Sequence, residues 1–155
     1  MAALSDAIER FIKDLLTDDT RVELKRNELA QYFGCANSQI NYVLATRFSV
    51  DRGYLVESRR GGSGYVRVIR ISTSDVELLG SLLQRIGGEI GEENAKAIIL
   101  RLYELHVVDV NEARLMQAAV SAEAISLPIS SKDMIRASVL KSLVVQAFKN
   151  MREGK

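Results

Sequence analysis

Residues 21–71 read RVELKRNELAQYFGCANSQINYVLATRFSVDRGYLVESRRGGSGYVRVIRI, and the order of elements within them decides the fold. Val22 and Leu24 alternate with Arg21, Glu23 and Lys25, the period of a short, half-buried strand. A helix over Glu28–Phe33 follows, with Asn27 as its expected N-cap and Gly34 as its terminator. After Cys35-Ala36-Asn37, either Asn37 or Ser38 is placed to cap a second helix running from Gln39 to about Thr46. Ile40, Val43 and Leu44 share one face of that helix. Tyr54–Ser58 and Tyr65–Ile71 then read as strands, rich in β-branched and aromatic residues, around the tip Arg59-Arg60-Gly61-Gly62-Ser63-Gly64. Helix, strand, helix, glycine turn, helix, strand, cationic tip, strand is the pattern of a winged helix-turn-helix.

Working outward, Leu4, Ile8, Phe11, Ile12, Leu15 and Leu16 recur at helical spacing, so an amphipathic helix precedes the segment, with Ser5 and Asp6 near its start. On the other side, Ser72-Thr73-Ser74-Asp75 predicts a hinge that also caps the next helix. Four apolar stripes complete the chain: Val76 to Ile86, Ala95 to Leu105, Leu115 to Val120, and Ile135 to Phe148. The expected fold is therefore mainly α with an α+β N-terminal part. A winged helix-turn-helix domain over 1–72 is followed by a small helical bundle over 73–155. The stripes are wide for so small a bundle, which predicts that this second domain dimerises.

Charge separates the two parts. The whole chain carries a net charge of +1, which by itself argues against a polyanionic partner. Residues 21–72, however, hold nine cations against four acids, a net of +5, whereas 73–155 is at −1. Affinity for phosphates follows the local patch. Other classes are poorly served. One Cys (Cys35) and one distant His (His106) offer neither a disulfide nor metal-ligand spacing, and no metal or cofactor is expected. Cys35 is expected to pack as a small hydrophobe. No carboxylate pair accompanies a nucleophile, so the chain reads as a non-enzyme. No apolar run reaches the roughly 18 residues of a membrane span, and the charged N-terminus excludes a secretory leader. A soluble cytoplasmic protein is expected, nucleoid-associated when bound to DNA.

The exposed face of the second helix would carry Ser38, Gln39, Asn41, Tyr42 and Arg47. Asn and Gln can pair with adenine, Arg with guanine or phosphate, and a Ser at a helix N-terminus can hold a phosphate oxygen. In the tip, Arg59 and Arg60 supply charge for a narrow minor groove. Gly61, Gly62 and Gly64 permit close backbone approach, and Tyr65 follows them at the start of the strand. A nucleotide-cradling loop is excluded because a strand follows the glycines and no Gly-Lys-Ser/Thr is present.

The runs Lys25–Ala30, Ser38–Val43, Thr46-Arg47-Phe48, Arg52-Gly53-Tyr54 and Glu57–Tyr65 closely resemble the CtsR family, repressors of class III heat-shock genes in low-GC Gram-positive bacteria. The resemblance implies a dimer bound to tandem heptanucleotide operators upstream of Clp protease and chaperone genes. It makes Arg60 the wing residue that enters the minor groove, with Arg26 and Arg47 matching other DNA-contacting arginines. It further implies a heat-responsive wing, and release by a protein arginine kinase that marks the repressor for a Clp ATPase and protease. Arg60 is the implied phosphorylation candidate. Ser63 interrupts what is often an unbroken glycine run in the family. The alternative reading is a winged helix that serves as a protein–protein interaction scaffold without sequence-specific DNA binding.

Overall fold

The computed structural model describes residues 2–58 and 64–151. Two compact units divide it, Met1–Val76 and Glu77–Lys155.

In the first unit the helix α1 (Ala2–Leu15) leads into strand β1 (Arg21–Lys25), which runs without a break into α2 (Arg26–Phe33). Helix α3 (Asn37–Arg47), a 3-10 turn over Val50–Arg52, and strands β2 (Tyr54–Ser58) and β3 (Tyr65–Arg70) follow. The strands form an antiparallel sheet in the order β1-β3-β2, with Val22 opposite Val68 and Val56 opposite Val68 on the other side. The core lies between sheet and helices: Ile8, Ile12 and Leu16 from α1, Leu29 from α2, Ile40, Val43 and Leu44 from α3, Phe48, and Val66 and Val68 from β3. Phe48 is buried edge-on against Tyr54, with ring centroids 4.8 Å apart. Cys35 packs, partly buried, against this same core.

Gly34 ends α2 in the left-handed region at φ 64°, where a side chain would be strained. Its N–H donates to the Gln31 carbonyl and that of Cys35 to Ala30, the paired closure of a Schellman turn. That turn sets the angle between α2 and α3.

The caps depart from the sequence expectation. Lys25, the last strand residue, holds the N-cap position of α2, and Asn27 lies inside the first turn. Ala36 stands at the N-cap of α3, and neither Asn37 nor Ser38 caps it. The two asparagines instead bond to each other across the turn, Asn37 Nδ2 to Asn27 Oδ1 at 2.8 Å. Helix α1 begins at Ala2, which leaves Ser5 and Asp6 near its start as expected. At the junction the expected cap forms: Ser72 Oγ accepts from the Asp75 N–H, and α4 (Thr73–Ile86) begins there.

The second unit takes the rest of α4 with α5 (Glu92–Glu104), α6 (Val110–Val120) and α7 (Ile129–Met151). Asp109 and Glu112 close a reciprocal capping box at the start of α6. Leu79, Leu82, Ile98, Ile99, Leu102, Met116, Val120, Leu140, Val144 and Phe148 are buried. Among them lies a charge. Arg136 on α7 is 3% exposed, its Nε donating to the Val120 carbonyl and its Nη1 to Ile90 O and Asp133 Oδ1. His106, placed by sequence on the surface or in packing, is exposed and adopts φ 62° just beyond α5.

Candidate nucleic-acid interface

The buried face of α3 is made by Ile40, Val43 and Leu44, and this fixes what its opposite face presents. Ser38, Asn41 and Tyr42 are exposed, Tyr42 at 57%, while Gln39 is half-buried. Next to this face stand the wing strands β2 and β3, paired from Tyr54↔Arg70 to Ser58↔Val66. Gly64 takes φ 61° where the chain returns into β3, and a Cβ there would meet no neighbour, so backbone conformation alone favours glycine. Tyr65, half-buried, sits opposite Lys25 of β1. Arg59, Arg60, Gly61 and Gly62 lie outside the described residues.

The cations counted in the sequence are not equivalent in space. Arg67, on the central strand, lies between Glu23 and Glu57 of the neighbouring strands, with contacts of 2.9 and 3.3 Å. Its charge is balanced within the sheet. Arg47 at the end of α3 bonds Asp6 and Glu9 of α1 through Nη1, and its side chain is only 22% exposed. First Asp6 and then Glu9 raise its pKa. Arg26, the first residue of α2, bonds Asn41 on α3 and Ser58 at the end of β2, each at 2.7 Å. Lys25, Arg52 and Arg70 are exposed. No local sequence pattern announces these partners, because each lies on a different element.

The Glu9 carboxylate is held below its ordinary value of 4.5, first by the Lys13 ammonium and then by the Arg47 guanidinium. The folded protein thus keeps this charge at a pH where the unfolded chain takes up a proton. The resulting stability is complete above the unfolded value and is lost as pH falls through the lower folded one. Glu9→Gln is expected to lower stability by about 1 kcal/mol at neutral pH. In urea titrations the wild-type and variant midpoints should draw together as pH falls below the ordinary carboxylate value of 4.5. Midpoints that stay equally far apart would show that the carboxylate contributes nothing through its charge.

No helix among the described residues is long and apolar enough to cross a membrane. No group of His, Cys, Asp and Glu among them could hold a metal ion.

A cationic winged helix-turn-helix with a polar helix face, followed by a separate helical unit, defines a DNA-binding transcriptional regulator rather than an enzyme. The chain belongs to the CtsR family. Residues 3–72 match the family model of the CtsR N-terminal HTH domain, and residues 74–145 that of the CtsR C-terminal dimerization domain. It is 40% identical over 147 residues to the transcriptional regulator CtsR of Geobacillus stearothermophilus, covering 93% of this chain and 96% of the relative. The CtsR of Staphylococcus aureus strain USA300 gives the same identity and coverage. A crystal structure of CtsR in complex with a 26-base-pair DNA duplex matches with a TM-score of 0.47 and 38% identity, covering 94% of this chain and 98% of that one.

Proposed function

We propose that this regulator represses stress-response genes of the Clp protease and chaperone class, binding tandem heptanucleotide operators as a dimer. Division of labour falls at the junction, with 1–72 as reading head and 73–155 as dimerisation domain. The observation that carries the reading is the exposed Ser38-Asn41-Tyr42 face of α3, tied through Arg26 to the end of β2, the strand that Arg59 and Arg60 follow in sequence. In it, Ser38, Gln39, Asn41 and Tyr42 meet the major groove, while Arg59 and Arg60 enter the minor groove with Gly61, Gly62, Gly64 and Tyr65 supporting the approach. Arg26 contributes from the base of the wing. Arg47 reaches a phosphate only by exchanging Asp6 and Glu9 for it. Dimerisation is supported by apolar side chains left open in the second unit, Leu115 at 73% and Ile129 at 87% exposure. The protein works in the cytoplasm, on the nucleoid when bound.

Release follows from the same parts. Phosphorylating Arg60 by a protein arginine kinase replaces a cation with negative charge opposite the DNA phosphates, after which a Clp ATPase and protease removes the repressor. Heat raises the entropic cost of ordering a glycine-rich wing, so the wing leaves DNA before the core melts. In a gel shift on a duplex selected from random sequence, Arg60→Ala is expected to weaken binding about tenfold, the loss of one charged contact. Unchanged affinity would remove the wing from the binding surface.

A further inference from the structure

The bridge made by Arg26 joins residues that are 15 and 32 positions away from it. Its Nε donates to Asn41 Oδ1 and its Nη2 to Ser58 Oγ, both at 2.7 Å. Asn41 belongs to the exposed face of α3, and Ser58 is the last residue of β2 before the wing tip. Between helix and strand lies a concavity lined by Leu44, Ala45, Phe48, Tyr54 and Val56, together with Arg26 and Asn41. Van der Waals contact therefore leaves the outer edge of α3 and the end of β2 apart, and a rigid planar group spans them. The guanidinium fixes its donors relative to one another, as a flexible ammonium cannot. The bond to Asn41 has a second effect. With Oδ1 turned to Arg26, Nδ2 is the end of the amide left to meet an acceptor on a base edge.

We propose that Arg26 is a positioning residue for sequence reading: it orients the Asn41 amide and ties the recognition helix to the base of the wing, so that the two meet DNA as one preformed surface. The proposal rests on the DNA-reading role assigned above to α3 and the wing. It differs from a plain phosphate contact, which adds affinity uniformly across sequences and about one unit of salt slope. A positioning group acts on discrimination at the base pair that Asn41 meets.

The test compares wild type, Arg26→Lys, Arg26→Gln and Ser58→Ala on the selected duplex and on its single-base variants, across a salt series. Thermal melts followed by circular dichroism establish that each variant is folded. Arg26→Lys keeps the charge and breaks the bridge, and it is expected to lose discrimination at one base pair by about tenfold, as Arg26→Gln does. Ser58→Ala removes no cation, and it should weaken binding roughly fivefold with the salt slope unchanged. Full discrimination by Arg26→Lys, or unaltered binding by Ser58→Ala, overturns the proposal. If wild type itself does not distinguish its selected duplex from a scrambled one, the DNA-reading role fails, a result separate from failure of the bridge.

Discussion

Operator affinity is expected to fall by about a thousandfold between roughly 50 and 200 mM salt, from about three phosphates neutralised per protomer and about six in a dimer, a log–log slope near −5. This slope is assigned to the three cations at the tip and base of the wing. Lys25 is exposed and stands opposite Tyr65 at the base of the wing, and Arg59 and Arg60 follow β2 in sequence. Arg67 is excluded by Glu23 and Glu57, and Arg47 is held by Asp6 and Glu9. Counting all nine cations of residues 21–72 would give a steeper dependence, so the slope measures how many are free to release counterions. Fluorescence anisotropy of a labelled duplex over the salt series provides the measurement. A flat dependence would sink the repressor reading and favour the protein–protein scaffold, whose contacts are not made through phosphates.

The second large effect is structural. Arg136→Ala is expected to destabilise the second unit by about 3 kcal/mol, the range for breaking a buried, hydrogen-bonded charge. The guanidinium reaches the carbonyl at the end of α6 (Val120) and the carbonyl of Ile90 just before α5, from its own place on α7. Removing it strands those carbonyls and opens a cavity between the start of α5, the end of α6 and the flank of α7. Asp133, half exposed at 52%, can turn to water and contributes less to the loss. Urea unfolding monitored by circular dichroism would read the change. Because dimerisation is assigned to this unit, sedimentation should also show dissociation of Arg136→Ala at concentrations where wild type is dimeric. A variant as stable as wild type would mean that water satisfies these carbonyls equally well.

Much of the architecture was legible in the residues themselves. The apolar spacing of Ile8, Ile12 and Leu16, and of Ile40, Val43 and Leu44, reports the buried side of each helix, because a face every three or four residues must leave water. The alternation in Val22 and Leu24, and the β-branched runs around a glycine-rich tip, report the three strands for the same reason. Gly34 marks the turn because only glycine enters the left-handed region without strain. The caps of α2 and α3 were not legible. Asn27 and Asn37 carry the right chemistry for a cap, but each is a better partner for the other across the turn than for its own helix end. The capping box at Asp109 and Glu112, by contrast, rests on a local Asp-x-x-Glu spacing that the sequence itself carries.

For the winged helix-turn-helix, then, the sequence by itself determined the elements, their order, the polar face of α3 and the placing of cationic charge around residues 59–60. These depend on periodicity and composition, which act over a few residues. Only the tertiary structure decided which charges remain available. Arg67 is balanced by strands on both sides and Arg47 by the first helix, whereas Arg26 is held by neutral groups on the recognition helix and the end of β2, and Arg136 by Asp133 and the carbonyls of two distant segments. A guanidinium finds its partners by distance in space, and that distance is set by packing of the apolar core rather than by separation along the chain.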